Sequence, residues 1–322
     1  MILNRVALGV SEGGVLTCTI VLIRAWFTRA ERARANTLFL LSLAVGPVVS
    51  NPVSGLVLEF FDWRTMFVME AVPALAWGFV WLWAISDDPR DVAWLPADEK
   101  AALVAALDAE SAMIRPAGGH WLRTLLHPAI LLLAFYNFAA LAAEWGVNFW
   151  LPTVLKETGV SIGMVGVLSA IPYAVGIGAM LLVAASSDRW QERKWHMIAA
   201  TAGSGVFLIA AQIFGGAGTF ATLLCLTLAV GSFLGRFGPF WTLPTEILPP
   251  AVAGVGIGLI NGAGNLGGVF GPSFFGYVRD ATGSFSTALT VGGISLLLAA
   301  LIASPIRTRP TGLPLTPASA ST

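Results

Sequence analysis

Long uninterrupted apolar runs constrain this chain more than any other feature of its sequence. About nine stretches approach the roughly 20 residues that an α-helix needs to cross a hydrocarbon core of about 30 Å. They lie at residues 1–23, 36–60, 65–86, 124–154, 161–185, 196–215, 218–241, 251–277 and 284–304. Strand-like alternation of polar and apolar residues is absent, so helices are expected rather than a barrel. The sequence therefore predicts an all-α membrane protein.

The distribution of positive charge predicts how the chain is oriented in the membrane. If the segment 24–36 is cytoplasmic, most Lys and Arg residues of the loops fall on the cytoplasmic side, and only Arg64, Lys156 and Arg279 fall outside. An excess of Lys and Arg in cytoplasmic loops is usual in multi-pass membrane proteins. We therefore expect a multi-pass protein of the cell membrane with a cytoplasmic C-terminus. The formal net charge is +0, which argues against nucleic acid as a partner.

A polar segment at residues 87–123 interrupts the apolar runs, with three runs before it and six after it. The sequence Pro96-Ala-Asp-Glu99 within it is a helix start signal, and apolar residues at helical spacing follow. The last residues are rich in Pro, Ser and Thr, which favours disorder. We predict four regions: a partial three-helix bundle at 1–86, a cytoplasmic linker with a short amphipathic helix at 87–123, a six-helix bundle at 124–304 and a disordered cytoplasmic tail at 305–322.

Arg5 and Glu12 are two charged residues inside the first apolar run. Seven helical residues make nearly two turns, so both side chains share one helix face, roughly 10 Å apart along the axis. An unpaired charge inside hydrocarbon costs about 2.5 to 3.5 kcal/mol, so the pair is expected to face a wet cavity or a bound partner. The pair therefore indicates either transport of a charged solute or a structural ion pair that ties helices together.

Glu144 and Asn148 are four residues apart in the run at 124–154 and share one helix face. Gly146 between them and Pro152 beyond them favour a helix break that exposes backbone to a cavity. In that case both side chains are expected to contact a substrate. The alternative places Glu144 near the outer mouth of the protein, solvated and uninvolved.

Arg236 lies in a segment, GRFGPFWTLP, that places a cation, helix-breaking residues and aromatic rings together. Arginine binds a carboxylate through two parallel hydrogen bonds, so Arg236 is a candidate anion ligand. The alternative is an ion pair with Glu246 that holds helices together. Trp241 is expected either to line an apolar substrate cavity or to belong to the core.

An ordered set of short motifs carries a family likeness. The first part of the chain contains RVALGVSEGG, then WFTRAERARA, in which Thr28 replaces the usual proline, then FDWRTMF and DDPRDVAWLPADE. The second part contains NFWLPTVL, SDRWQERKWH, GPFWTLPTEIL and LINGAGNLGGVFGPSFFG. Together these motifs resemble the major facilitator superfamily, and within it the anion:cation symporters that take up organic acids such as tartrate, hexuronates or phthalate.

The resemblance implies a helix bundle built from two six-helix halves, with the substrate held near the membrane midplane between them. About nine of the twelve helices would then stand in this chain, and three N-terminal helices would be missing. The resemblance also implies that Glu12 binds the coupling proton, while Arg5 tunes Glu12 or meets the substrate carboxylate.

Asn261 and Asn265 lie on one face of a helix in which Gly254, Gly258 and Gly262 form a stripe of small residues. Such stripes let helices approach closely, so the glycines are expected to serve packing. Buried amides need hydrogen-bond partners. The resemblance implies that the two asparagines bind substrate hydroxyls or a carboxylate.

Asp188, Arg189 and Arg193 form a charged cluster between two apolar runs. The resemblance implies that these charges latch the cytoplasmic end and separate during alternating access. Ala184 and Gln191 stand where glycines are usual, so a less tight turn is expected. The alternative is a solvated cluster that only helps to orient the chain.

The predicted function is proton-coupled symport of an organic anion, such as tartrate, a sugar acid or an aromatic acid, by alternating access. A monomer in the lipid bilayer is expected. No nucleophile elbow, metal-ligand pair, phosphate loop or redox cysteine pair appears, so we expect neither an enzyme nor a cofactor other than the coupling proton. The alternative function is a truncated, non-transporting membrane fragment or sensor derived from such a carrier.

Overall fold

The structure, a computed structural model, describes residues 15–112, 126–214, 218–247 and 250–306. Within these ranges the chain forms eleven α-helices, one 3-10 helix and no strand. The predicted pair Arg5 and Glu12 lies outside the described residues, as does the tail from residue 307 onward.

The helices follow one another with short connections. The first three are α1 (Val15–Trp26), α2 (Arg29–Phe60) and α3 (Trp63–Ala84). The predicted linker contains the 3-10 helix Pro89–Asp91 and α4 (Ala97–Ala112). The remaining helices are α5 (Pro128–Lys156), α6 (Ile162–Trp190), α7 (Lys194–Phe214), α8 (Thr219–Gly235), α9 (Phe237–Ile247), α10 (Pro250–Thr282) and α11 (Phe285–Ala303).

In the described part of the chain, seven helical segments are long and apolar enough to cross a membrane. They are Leu38–Phe60, Trp63–Ala84, Pro128–Lys156, Ile162–Trp190, Lys194–Phe214, Thr219–Pro244 and Phe285–Ala303. Each coincides with a predicted apolar run, which confirms the all-α membrane fold. The predicted run at 251–277 is also helical, inside α10, although it is not one of the seven.

The described chain forms two compact units. One consists of residues 1–46 and 57–116, and the other of residues 47–56 and 117–322. Helix α2 contributes to both.

In the first unit, local hydrogen bonds determine where α2 and α3 begin. The Glu31 carboxylate accepts hydrogen bonds from the hydroxyl of Thr28, at 2.7 Å, and from its backbone N–H, at 3.2 Å. The Asp62 carboxylate accepts one from the backbone N–H of Thr65, at 2.8 Å. Side chains that satisfy the free N–H groups of a first turn stabilise the helix start. Thr28 therefore supplies a cap at the position where the resemblance expects a proline.

The start of the linker is tied to the end of α1. The rings of Trp26 and Trp94 are stacked with centroids 5.7 Å apart, and the indole N–H of Trp26 donates to the carbonyl oxygen of Ser86 at 2.8 Å. Hydrogen bonds from the backbone N–H of Arg90, and secondarily from its guanidinium, hold the pKa of Asp88 below its usual range. These contacts order the beginning of the linker.

In the second unit, glycines allow α10 to pack closely on α5. A Cβ atom at Gly267 would overlap the carbonyl oxygen of Phe138, and one at Gly271 would overlap the carbonyl oxygen of Ala142. Because the obstacle is backbone in both cases, a larger residue would force the two helices apart.

The glycine stripe expected to serve packing is a different one, and its packing role stays a prediction. No described atom lies within 4 Å of a Cβ placed on Gly254, Gly258 or Gly262. These three glycines share a face of α10 with Asn265, about a third of a turn from the face that packs on α5. Asn261 lies at the border of the two faces, seven residues before Gly268, whose Cβ would meet the Trp145 ring of α5. The spacing alone could not show which of the two glycine-rich faces meets a neighbour.

The part of α2 that belongs to the second unit packs against α6 through glycine. A Cβ on Gly55 would lie 2.7 Å from the Cα of Gly166. Beside this contact, the side-chain amide of Asn51 donates to the carbonyl oxygen of Ser169 at 3.3 Å. Helix α6 also packs on α8, and α7 packs on α8 and α11, so that the second unit forms a bundle around a shared core.

Candidate functional site

A one-residue interruption between α8 and α9 places Arg236 inside the second unit. Its backbone N–H bonds to the carbonyl oxygen of Phe233 at 3.2 Å, and the next helix begins at Phe237. Pro239, two residues further on, has no backbone N–H and cannot continue the hydrogen-bond pattern of the preceding helix. The local sequence therefore breaks the helix next to a cation.

The Arg236 guanidinium is enclosed by aromatic rings. Its Cζ atom lies 4.2 Å from the ring centroid of Phe233, 4.8 Å from Phe237, 5.2 Å from Phe240 and 5.6 Å from Tyr136. Cation–π attraction to desolvated rings is worth about 2 kcal/mol or more in favourable cases. The rings thus hold the guanidinium in place but leave its hydrogen-bond donors unused.

The Arg236 side chain is fully buried, at 0% exposure, and is the largest of the fully buried side chains. Among the described residues, none accepts a hydrogen bond from its Nε, Nη1 or Nη2 atoms. Arginine cannot escape the desolvation cost by losing its proton, because its guanidinium stays charged. The predicted alternative, a pair with Glu246, is untested because that side chain lies outside the described set. A buried cation whose donors have no acceptor among the described residues is able to bind an anion.

Glu144 on α5 supplies a negative charge to the same region. Its Oε2 atom is buried and has no hydrogen-bond partner in the described part of the chain. The carboxylate interacts electrostatically with the Arg236 guanidinium and with the Asn148 amide. It also interacts with the hydroxyl of Tyr173 on α6. The side chain therefore lies inside the bundle, which excludes the solvated outer mouth as its position.

A small cavity lies beside Glu144. It has a volume of about 10 Å³, enough for a single water molecule. Helices α5, α7, α8 and α11 line it through Ala143, Glu144, Val147, Asn148, Ser204, Leu208, Ala229, Val230, Phe233 and Leu296. Phe233 connects the cavity to the Arg236 cage, because it belongs to both.

Tyr136 connects the cage to α7. Its hydroxyl is hydrogen-bonded to the Thr201 hydroxyl, and both side chains are buried. The Thr201 hydroxyl donates in turn to the carbonyl oxygen of Met197 at 2.9 Å. One face of the cage is thereby held in a fixed position by a satisfied polar contact.

The structure brings three predicted substrate residues together and leaves three apart. Glu144, Asn148 and Arg236 belong to the buried region just described. Trp241 packs against the core beside Phe240, with ring centroids 4.9 Å apart, and does not line the cavity.

Asn261 and Asn265 do not line the cavity beside Glu144. No hydrogen bond joins either amide to another described residue, and Asn265 is exposed. Their assignment as substrate ligands stays a prediction.

The predicted gating residues lie in the turn between α6 and α7. Arg193 forms an ion pair with Asp188, and its Nη1 donates to the hydroxyl of Ser187 at 3.1 Å. Arg189 is exposed. Gln191 adopts φ of 50°, a left-handed conformation that favours glycine, so the turn is made without the expected glycine.

Sequence reasoning missed Tyr136, Tyr173 and Thr201. A signal was available, because the chain has only 3 tyrosines and two of them lie in apolar runs near this site. Tyr136 and Glu144 are also eight residues apart, which places them on similar sides of one helix. The sequence could not show that Tyr136 and Glu144 interact with Arg236, because Arg236 is distant from both along the chain.

Comparisons with known proteins agree with the fold. Residues 1–272 match the sequence pattern of the Major Facilitator Superfamily. A protein of Agrobacterium vitis named as a tartrate transporter is 34% identical over 310 residues, covering 94% of this chain and 70% of that protein. The metabolite transport protein NicT, named so in Pseudomonas putida, is 29% identical over 306 residues, covering 92% of this chain and 70% of that protein.

Among solved structures, the xylose transporter XylE from E. coli in a partially occluded inward-open conformation has a TM-score of 0.68. The identity is 20%, so this likeness concerns the fold alone, and it covers 92% of this chain and 68% of that one. The relatives are named transporters rather than enzymes, and this chain spans about 70% of the length of the tartrate transporter. On its sequence and its helix bundle, the chain belongs to the Major Facilitator Superfamily.

Proposed function

We propose that this chain serves secondary active transport of an organic anion, with Arg236 as a ligand of the substrate carboxylate. Transport proceeds by alternating access and is coupled to protons. The substrate class is a carboxylate such as tartrate, a sugar acid or an aromatic acid. The observation that carries the proposal is the fully buried Arg236 guanidinium, whose donors have no hydrogen-bond partner among the described residues.

The geometry of the cage supports a carboxylate in particular. Aromatic rings are close to the guanidinium, whereas its N–H donors point outward in its plane. A carboxylate accepts two parallel hydrogen bonds in that plane, which a halide or a neutral sugar cannot do. Each charged hydrogen bond is worth about 1.5 to 3 kcal/mol, and the bound anion also offsets the cost of the buried positive charge.

The relatives support the same substrate class. A protein that covers most of this chain is named as a tartrate transporter. Tartrate carries two carboxylates and two hydroxyls, so it would use the donors of Arg236 together with amide or hydroxyl groups. Proton coupling rests on the predicted roles of Arg5 and Glu12.

Equilibrium binding of tartrate to the detergent-purified chain tests the assignment of Arg236. We expect Arg236→Gln to weaken binding by about 10-fold to 100-fold, because charged hydrogen bonds are lost. Arg236→Lys keeps the charge without the planar fork and should fall between wild type and Arg236→Gln.

Arg279→Gln is the matched control, because Arg279 also lies over a phenylalanine ring, Phe285 at 5.0 Å, but near the end of α10. It should bind tartrate like wild type. Equal affinities for wild type and Arg236→Gln would refute the proposal.

A further inference from the structure

Two opposite charges occupy one buried region of the second unit without forming an ion pair. Arg236 and Glu144 interact electrostatically, but no ion pair within 4.0 Å joins them among the described residues. The nitrogens of Arg236 and the Oε2 of Glu144 all lack hydrogen-bond partners there. Within the described residues the two charges balance, and the Arg236 nitrogens and the Glu144 Oε2 atom remain available to a further partner.

Binding a carboxylate at Arg236 changes this balance. One positive charge would then face two negative charges in a region shielded from water. An uncompensated buried charge costs several kcal/mol, so binding is strongly disfavoured unless a positive charge arrives with the anion. A proton on the Glu144 carboxylate restores neutrality at the lowest cost, because its Oε2 atom can take the proton without losing a hydrogen bond to any described residue.

Among the described residues that face Glu144, no other group could do this. Helix α10, which packs on α5, carries its charged residues Arg279 and Asp280 in its last turn. Arg236 faces it from the junction of α8 and α9, and it stays charged. Tyr173 faces it from α6 as a neutral phenol. The described lining from α7, α8 and α11 consists of Ser204, Leu208, Ala229, Val230, Phe233 and Leu296, none of which titrates.

The cavity beside Glu144 supports proton exchange. Its volume of about 10 Å³ accommodates one water molecule next to the carboxyl and the Asn148 amide. A water at that position would hydrogen-bond the carboxyl in either protonation state. Glu144 can therefore gain or lose a proton without a change in packing.

We propose that Glu144 is a proton-binding group of the second unit. Its carboxylate and the substrate carboxylate compete for electrostatic stabilisation by the Arg236 guanidinium. One proton from solvent binds the Glu144 carboxylate as one substrate carboxylate binds Arg236. The same proton leaves to solvent when the substrate leaves. This coupling rests on the proposed function of Arg236, and it is separate from the predicted role of Glu12.

Proton uptake on tartrate binding tests the proposal. A pH-sensitive dye in weakly buffered detergent solution reports the protons taken up when tartrate is added to the purified chain. Tartrate stays fully ionised from about pH 6 to about pH 8, so the uptake belongs to the protein. For wild type we expect about one proton per tartrate, and an affinity that falls by up to about tenfold per pH unit where Glu144 must be protonated to bind.

Glu144→Gln imitates the protonated carboxyl. It should bind tartrate without proton uptake and with an affinity that does not depend on pH in this range. Glu157→Gln is the matched control, because Glu157 is exposed at the end of the same helix, and it should behave like wild type. Infrared difference spectra should show a carboxylic-acid band on tartrate binding to wild type and to Glu144→Asp, but not to Glu144→Gln.

The outcomes separate the two proposals. Absence of tartrate binding to wild type, or binding that ignores Arg236→Gln, would refute the function proposed for Arg236. Tartrate binding at Arg236 without proton uptake in wild type would overturn the proposed role of Glu144 but not that of Arg236. Undiminished proton uptake in Glu144→Gln would do the same. Absence of proton uptake in wild type needs no variant, so it overturns the role of Glu144 even if Glu144→Gln does not fold.

Discussion

Arg236 and Arg193 are two arginines of the same bundle in opposite situations. Arg193 lies in the turn between α6 and α7, where it pairs with Asp188, bonds the Ser187 hydroxyl and keeps 15% of its side chain exposed. Arg236 is fully buried among aromatic rings, and none of its three nitrogens has a hydrogen-bond partner in the described ranges.

This difference agrees with a structural role for Arg193 and with the binding role proposed for Arg236. Water and nearby acceptors satisfy Arg193, so its charge costs the fold little and needs no further ligand. Arg236 costs stability in the absence of an anion, since a buried charge without a hydrogen-bonding partner is disfavoured.

The largest expected effect comes from Arg236→Met, which replaces the buried cation by an apolar side chain of similar length. Without anion, and at a pH low enough to protonate Glu144, we expect the variant to be more stable than wild type by about 1 to 4 kcal/mol, because the desolvated cation is removed and the neutral Glu144 carboxyl leaves no unpaired buried charge. Thermal unfolding in detergent measures this, and tartrate binding should be lost in the same variant.

Arg193→Met is the comparison variant for this measurement. It should be slightly less stable than wild type, since it breaks a satisfied pair. A loss of stability of similar size in both variants would contradict the distinction between the two arginines.

A smaller effect is expected at the hydroxyl pair behind the cage. Thr201→Val should lower the free energy of unfolding by about 1 to 3 kcal/mol, because it leaves the buried Tyr136 hydroxyl without its partner. Tyr136→Phe should lower it by about 0.5 to 1.5 kcal/mol, because the Thr201 hydroxyl keeps its bond to the Met197 carbonyl oxygen. The double variant should lose less than the sum of the two, since both hydroxyls are then absent. Unfolding of the three variants completes a double-mutant cycle, and additive losses would show that the hydroxyls do not interact.

The smallest effect is expected at the surface pair. Asp188→Asn should lower the free energy of unfolding by only about 0.2 to 1 kcal/mol at low salt, because Asp188 is 67% exposed. The difference from wild type should disappear near 1 M salt, where charges are screened within about 3 Å. A larger, salt-independent loss would show that this pair is a stronger latch than its exposure suggests.

Much of the fold could be predicted from the sequence. The runs that became α3, α5, α6, α7 and α11 are apolar along their length, and hydrocarbon allows few other conformations for such segments. The helix start signal at Pro96 also predicted α4 correctly, because the start of a helix depends on residues that are neighbours in the sequence. The packing face of α10 could not be predicted, since Gly258 and Gly267 look alike until a neighbouring helix is in place.

The candidate site shows the same division. Glu144, Asn148 and Arg236 were identifiable as polar residues in apolar runs, where each carries a high desolvation cost. The sequence could not show that these three residues lie in one region. It could not show the role of Tyr136 and Phe233 either, because an aromatic ring in a membrane helix is equally suited to the core, the lipid surface or a binding site.

The sequence by itself determined that this chain is a helical membrane protein with costly charges in its apolar segments, since composition and local hydrogen bonding act over a few residues. Only the tertiary structure decided which charges meet. Arg193 pairs with Asp188 in the turn between α6 and α7. Aromatic rings from α5, α8 and α9 surround Arg236, whose donors have no hydrogen-bond partner among the described residues. The physical reason is that desolvation depends on every neighbour in space, and helix packing alone sets those neighbours.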